Sequence, residues 1–481
     1  MNRYLEKIAA ELKPHSERAL KKLDKEHGII LDHSTGSGKT ITFLTALERA
    51  QKRDPSGKAL IVAPASLQTN IDKEIKKHGL RINMKNVEVL SYEKAAIDAD
   101  RLKKNKYMMA IADEAHKLRS VGTKRHKELS EIIGSADRRI LATATPSYNH
   151  ASDISPLVNI AAGGNKVLPE GKSAFEERFV QKSKTHAPFL KRIFGAPSKE
   201  VESLKNTGEL SKTLNKYVDS YTNDTDKEAA KHFPTTTEKV VEVEMSPVQH
   251  QMYKYMEGKL PFHLRMKVRT GMPLDKKESA QLNAFSSGVR QVSNSVTPFM
   301  PKYSDTTPKI KAAVDSVAKG ISEDKNFKGL VYSNYLGSGA EDYSKELTKR
   351  GIKHAVYHGG LSKKEKDALA NDFSYGKNKV LVISSSGAEG LDLKGVKKVQ
   401  VLEPHFNKSK IKQVTGRAAR YDSHAHLPAK ERKVEVEHYQ SIFPSGIFGK
   451  ASSKSIDQYL HDNSDTKDEL IDKIKRLTKN D

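Results

Sequence analysis

Two groups of short apolar runs, separated by stretches with helical spacing, constrain this chain more than any other feature. The first group reads "GIILD" (28–32), "ALIVAP" (59–64), "VEVLSY" (87–92), "YMMAIADE" (107–114) and "RRILATAT" (138–145). The second reads "GLVYSN" (329–334), "KHAVYHG" (353–359), "KVLVISSS" (379–386), "KKVQVLEP" (397–404) and "KVEVEHYQS" (433–441). Runs that are apolar on both faces suit strands covered on both sides, and parallel neighbours must be joined by a crossover, usually a helix. The alternation therefore predicts an α/β chain with two parallel-sheet units. At 481 residues it is also too long for one core. The expected division is 1–147 for the first unit, 148–310 for a mostly helical, basic insertion, 311–445 for the second unit and 446–481 for a terminal helical brace.

The middle region is richer in Lys, Ser, Asn and Pro. It holds two basic strings, "PFLKRIFGAPSK" (188–199) and "KLPFHLRMKVRTGMPLDKK" (259–277), each interrupted by Pro or Gly. Over the whole chain Lys and Arg number 84 against 60 Asp and Glu, a formal charge of +24. Such an excess points to a polyanion, of which nucleic acid is the commonest. A solubilising surface without a specific partner is the alternative, and no basic amphipathic helix stands out to favour an anionic membrane. Cysteine is absent, which excludes disulfides and cysteine-ligated zinc or iron–sulfur centres and suits a reducing compartment. "MNRYLEKIAAELKPH" carries charges throughout and lacks the apolar segment of a signal. No apolar stretch approaches the roughly 18 residues of a membrane span. A soluble, intracellular, cytoplasmic protein is expected.

Between the first strand and the helix after it lies "HSTGSGKT" (33–40). Gly36 and Gly38, flanking Ser37, allow backbone N–H groups to turn toward phosphate oxygens, and the following helix adds its dipole. Lys39 would reach the β- and γ-phosphates, and Thr40 would help to hold Mg²⁺. The strict pattern has glycine at 33, where this chain has His33. "DEAH" (113–116) ends the run "YMMAIA", so a strand delivers two acids to the sheet edge beside that loop. Asp113 can bind Mg²⁺, and Glu114 can orient and deprotonate the attacking water. His116 belongs with the nucleotide-binding set, as the link to the next segment. In that segment, "LATATP" (141–146), Thr143 and Thr145 could hydrogen-bond to the acid pair.

In the second group the most specific string is "QVTGRAAR" (413–420). Arg417 and Arg420 lie three apart, so on a helix both project from one face. Guanidinium groups there would neutralise charge building on a γ-phosphate, worth about 10³–10⁵ in rate, or roughly 4–7 kcal/mol. Gln413 could contact the phosphates or the opposing motif.

The first three strings, in this order, resemble motifs I, II and III of superfamily 2 helicases and translocases. By the same resemblance "IVAPASL" (61–67) is similar to motif Ia, placing Pro64 and Ser66 at a nucleic-acid backbone, and "SYE" (91–93) to the segment after it. "VYSN" (331–334) resembles motif IV, with Ser333, and "YHGG" (357–360) the backbone-contacting loop with His358 and Gly359. "SSSGAEGLDLKG" (384–395) resembles motif V, placing Ser385 at nucleic acid and Gly390 and Asp392 at the nucleotide. "LKPHSER" (12–18) is similar to the family's adenine-reading element, but Ser16 stands where glutamine is usual, which bears on adenine selectivity and not on hydrolysis.

Further strings, "HFPTTTEKVVEVEMSPVQHQMYKY" (232–255), "GVRQVSN" (288–294), "TPKIKAAVDSV" (307–317) and "SIDQYLHDNSDTKDELIDKI" (455–474), resemble the Swi/Snf-type branch in the same order. "QVTGRAARYDSHAHLP" (413–428) is also similar to helicase-like ATPases of large DNA viruses and phages. The resemblance implies two RecA-like domains flanking an ATP cleft, with ATP and Mg²⁺ as ligands. It also implies a nucleic-acid-stimulated ATPase that moves along DNA, duplex favoured, with single-stranded DNA or RNA as the other tracks. A strand-separating helicase is one alternative. Another is an ATP-binding nucleic-acid scaffold, or a transcription or packaging accessory factor with a protein partner at the middle region.

Overall fold

All ten apolar runs form strands in the computed structural model, which describes residues 12–34, 36–144, 146–147, 150–185, 199–222, 230–303, 305–385, 391, 393–404, 408–445 and 453–478. In chain order the strands of the first half are β1 (Gly28–His33), β2 (Lys58–Val62), β3 (Val87–Leu90), β4 (Tyr107–Asp113), β5 (Arg138–Thr143), β6 (Val180–Thr185), β7 (Lys199–Leu204) and β8 (Val218–Tyr221). Those of the second half are β9 (Thr235–Glu244), β10 (Gly329–Ser333), β11 (His354–Tyr357), β12 (Val380–Ser384), β13 (Lys398–Val401) and β14 (Lys433–Ile442). By internal contacts the chain divides into one unit of residues 1–226 with 467–481 and another of 227–466.

The first unit is built on a six-stranded sheet, β3-β2-β4-β5-β1-β8, in which every neighbouring pair is parallel. Alternation splits the central strands between two apolar layers. Ile29, Leu31, Ile61, Ile111 and Ile140 face one side, against the helices Pro14–Glu26 and Lys39–Arg53. Ile30, Leu60, Ala110 and Leu141 face the other, where Tyr92, Leu129, Leu157, Phe175, Leu214 and Ile474 pack. Burying each large apolar side chain contributes about 1.5–3 kcal/mol. Gly28 at the start of β1 is required by space: a Cβ there would lie 1.9 Å from the carbonyl oxygen of Ala161.

The second unit repeats the plan with β11-β12-β10-β13-β14-β9, again parallel at every pairing. One layer gathers Leu330, Phe373, Leu381 and Val399; the other gathers Val314, Val331, Tyr343 and Val382. A separate cluster joins Met245, Tyr253, Val268, Leu282, Val289 and Val292 to Ile456, Tyr459 and Leu460.

Residues 148–310, expected as a helical insertion, are shared by the two units. β8 closes one edge of the first sheet beside β1, and β9 closes one edge of the second beside β14. β6 and β7 form an antiparallel hairpin from Val180↔Leu204 to Thr185↔Lys199. The helices Pro247–Glu257, Phe262–Thr270, Lys276–Phe285 and Ser287–Asn294 then follow. β8 is four residues long, and β9 is an edge strand with mostly exposed, polar residues, so neither carries the apolar pattern of a covered strand. The basic string 188–199 lies, but for its last residue, outside the described residues. Among the described residues no helix is long and apolar enough to cross a membrane.

The second unit is held by two buried ionic networks. Lys309 Nζ donates to Asp457 Oδ2 at 2.9 Å, with both side chains fully buried, and the same oxygen accepts from Ser441 N at 3.0 Å. Asp457→Leu leaves a buried ammonium without its counter-charge and is expected to cost about 3–5 kcal/mol in urea unfolding, with Lys309→Met/Asp457→Leu recovering most of it; a single variant as stable as the parent would contradict this. In the other network Glu437 accepts from Lys398 at 2.9 Å, Ser316 at 2.8 Å, Gln400 at 2.8 Å and Tyr439 at 2.7 Å. Burial alone would raise its pKa, but these hydrogen bonds outweigh burial and bring it down to about 2. A lowered carboxylate stabilises the fold above the ordinary pKa, and that stabilisation is lost as pH falls from about 4.5 toward 2. Unfolding free energy should therefore drop across that window, and Glu437→Gln should flatten the slope; an unchanged slope would remove Glu437 from the balance.

Candidate functional site

Parallel pairing puts the C-terminal ends of β1, β2, β4 and β5 on one edge of the first sheet, and the loops there carry the candidate residues. β1 ends at His33, and the helix Lys39–Arg53 begins six residues later. Gly36 and Gly38 adopt φ of 78° and 98°, the left-handed region in which a Cβ is strained. Lys39 Nζ donates to the carbonyls of His33 at 2.7 Å and Ser34 at 3.1 Å, so its ammonium lies across the loop. Ser37 is buried, and Thr40 sits in the first turn of the helix. Pro64 caps the helix Ala65–Lys77 after β2, with Ser66 in its first turn.

Asp113 is the last residue of β4, and Glu114 follows in the left-handed region at φ 54°, unusual for a residue with a side chain. Asp113 Oδ1 accepts from Glu114 N at 3.0 Å, and buried Tyr92 donates its hydroxyl to Asp113 O at 2.7 Å, so the turn is held from both sides. Burial, and then the neighbouring Glu114 charge, raise the Asp113 pKa, while Lys39 pulls it down. Those causes place the lysine of one loop within electrostatic reach of the acid of another. His116 Nδ1 lies 3.2 Å from Glu114 Oε2 and is hydrogen-bonded to Thr143 Oγ1 at 3.3 Å. Thr143 thus meets the acid pair through His116, and Thr145 lies outside the described residues.

Several supporting residues were not singled out from sequence. His15 donates from Nε2 to Ser37 O at 3.0 Å and stacks on Tyr221, with ring centroids 3.5 Å apart. Burial, with His33 and nearby cations, lowers the His15 pKa to about 4, so the ring is neutral near pH 7. His33 Nε2 donates to Asp219 Oδ1 at 2.8 Å, and Arg18 grips the same carboxylate through Nε at 2.9 Å and Nη2 at 3.0 Å. Ser16, in the position expected for an adenine-reading glutamine, is buried and accepts from Thr42 Oγ1 at 2.7 Å. The signal for the Asp219 partnership is absent from local sequence, because His33 and Asp219 are 186 residues apart.

In the second unit Gln413 and Arg417 lie on the helix Lys408–Ala418, and Arg417 Nη1 donates to Leu391 O at 3.2 Å. Arg420 corrects an expectation, since it lies beyond that helix instead of on its face. The amide of Ala419 still reaches Thr415 O, but Arg420 N leaves the ladder for Ser423 Oγ at 3.1 Å. Ser333 is fully buried, with its hydroxyl within hydrogen-bond distance of Tyr335 O at 2.9 Å and Glu403 Oε1 at 2.5 Å. His358 accepts from Gly360 N at 3.2 Å in an exposed turn that includes Gly359. Ser385 ends the described part of its loop after β12, and Gly390 and Asp392 lie outside the described residues.

Sequence comparisons agree with this layout. The SNF2-related domain matches residues 80–297, the helicase conserved C-terminal domain 309–422, and the type III restriction enzyme res subunit 3–148. A protein of Acanthamoeba polyphaga mimivirus, named as a candidate ATP-dependent RNA helicase, L538, is 30% identical over 97% of this chain and 96% of its own length. The termination factor NPH-I homolog of African swine fever virus (Pig/Kenya isolate) is 23% identical over 95% of this chain and 76% of its own length. Among solved structures, the Pyrococcus furiosus Hef helicase domain has a TM-score of 0.50 at 16% identity, covering 89% of this chain and 96% of that one. With two parallel six-stranded sheets of the RecA-like kind and a relative matched nearly end to end, the chain belongs to the Swi/Snf-like branch of superfamily 2 helicase-like ATPases, close to those of large DNA viruses.

Proposed function

We propose that this ATP-dependent enzyme is stimulated by nucleic acid and uses hydrolysis to translocate along duplex DNA. The observation that supports the reading best is the convergence, on one sheet edge, of the Lys39 loop and the Asp113–Glu114 turn, coupled through the fields those groups exert on one another. Glycine-bearing amides and an ammonium suit phosphate oxygens. A hydroxyl and a carboxylate are the hard oxygen donors that Mg²⁺ takes, and burial of Asp113 favours a divalent counter-charge there. Thr40 and Asp113 would hold Mg²⁺, which would supply charge neutralisation on the phosphates.

Lys39 then binds the β- and γ-phosphates, and Glu114 takes the proton from the attacking water. His116, between Glu114 and Thr143, orients the base. Gln413, Arg417 and Arg420 complete the proposed catalytic set, the guanidinium groups of Arg417 and Arg420 neutralising charge that grows on a γ-phosphate. Pro64, Ser66, His358, Gly359 and Ser385 are the proposed backbone contacts. Contacts of that kind give little sequence preference and a salt-dependent affinity, in keeping with the +24 charge. Duplex DNA as the track also fits the relatives' names only in part, since L538 is named for RNA.

Lys39→Ala should lower phosphate release at least about 100-fold, and Glu114→Gln should bind ATP but hydrolyse it about 10²–10⁴ times more slowly. Wild-type turnover in either would remove that residue from the chemistry. Phosphate release should rise most with duplex DNA when compared with no polymer, single-stranded DNA and RNA, and a triplex-displacement assay should show movement without strand separation. Stimulation by RNA alone, or efficient unwinding of a tailed duplex, would overturn the duplex-translocation reading.

A further inference from the structure

The loop from His33 to Lys39 departs from the strict phosphate-binding pattern at its first residue, and the structure pairs that departure with a residue far away in sequence. We propose that Asp219 is a positioning residue for nucleotide turnover, fixing the start of the phosphate-binding loop through His33 and Arg18. This rests on the reading that residues 33–40 take the phosphates of ATP.

Asp219 lies on β8, opposite Leu31 of β1 in the parallel register, and its side chain is fully buried. One carboxylate oxygen accepts from His33 Nε2 at 2.8 Å and Arg18 Nη2 at 3.0 Å, and the other accepts from Arg18 Nε at 2.9 Å. A buried carboxylate is tolerated only where donors compensate its lost hydration, so removing either partner disturbs the other. His33 is thereby held at both ends. Its ring is tied to Asp219, and its carbonyl accepts from Lys39 Nζ at 2.7 Å. The β1–β8 ladder also runs on into the loop, with Ser34 N donating to Tyr221 O at 3.0 Å.

The same helix that supplies Arg18 supplies His15, which donates to Ser37 O while stacking on Tyr221. The helix Pro14–Glu26 and strand β8 therefore grip the loop at its start and again near its middle. Where the strict pattern uses a glycine that adapts to its surroundings, this chain uses an imidazole locked by a carboxylate and a guanidinium. A rotation of His33 would move the carbonyl to which Lys39 is tied. A displacement of about 1 Å in a phosphate-positioning group can cost about 100-fold in rate.

The test measures three quantities on the full chain for each variant: melting temperature, dissociation constant for a fluorescent ATP analogue with Mg²⁺, and single-turnover hydrolysis rate per folded molecule. Asp219→Leu should slow single-turnover hydrolysis by about 10–100-fold with a smaller loss of nucleotide affinity. Asp219→Asn, which keeps an acceptor for His33, should remain within about fivefold of the parent. Asp219→Leu/His33→Ala should be no slower than Asp219→Leu alone, because the two act through one another. A lower melting temperature with an unchanged hydrolysis rate would make Asp219 a purely structural residue and overturn the proposal. Should Asp219→Leu fail to fold, His33→Ala and Arg18→Met pose the same question, and parent rates in both would overturn it equally. Lys39→Ala in the same assay separates the two levels: normal turnover there sinks the phosphate-loop reading itself, whereas an inactive Lys39→Ala beside unaffected Asp219 variants sinks only this inference.

Discussion

Parallel pairing of β1 with its neighbours is the constraint on which the rest of the first unit depends. With β5 on one side and β8 on the other, β1 is buried along its whole length, and its register sets Asp32 opposite Thr143 and Ser220. β4 pairs with β5 so that Asp113 lies opposite Ala142. Lys39, the acids Asp113 and Glu114, and Thr143 therefore emerge at neighbouring places on one edge. Three segments separated by up to about a hundred residues meet there because all their strands run the same way.

The ionisable groups fall into two kinds. Some are matched by their partners: Lys309 with Asp457, Glu437 with Lys398 and its hydroxyl and amide donors, Asp219 with His33 and Arg18. Asp113 is different, because burial and the Glu114 charge disfavour its ionised form, while Lys39 and the Glu114 amide oppose them without outweighing them. Groups left in tension of this kind recur at functional sites, where a substrate or ion completes the balance. The same contrast distinguishes Ser333, whose hydroxyl is consumed by Glu403, from His358 and Gly359, which lie on an exposed turn.

Legibility in the sequence followed burial. The covered strands were readable because both faces are apolar, and "YMMAIAD" and "VLVIS" could hardly be anything else. β8 and β9 were not, because an edge strand needs to satisfy only one side, and "VDSY" and "TTTEKVVEVE" look like loops. The loop lysine, the acid pair and the arginines were singled out through spacing within short strings. His15, Arg18 and Asp219 were missed because their meaning is purely tertiary: a carboxylate in the middle region completes a histidine at the end of β1. Arg420 shows the limit of spacing arguments, since three residues apart means one helical face only while the helix lasts, and Ser423 ends it.

The most direct measurement is a structure of the full chain with Mg²⁺ and a non-hydrolysable ATP analogue. The phosphates should lie on the amides of Gly36–Gly38 with Lys39 Nζ moved from the His33 carbonyl onto a phosphate oxygen, and the metal should rest on Thr40 and Asp113. A nucleotide bound elsewhere, with Lys39 still folded across its own loop, would contradict the assignment of this edge as the site of hydrolysis.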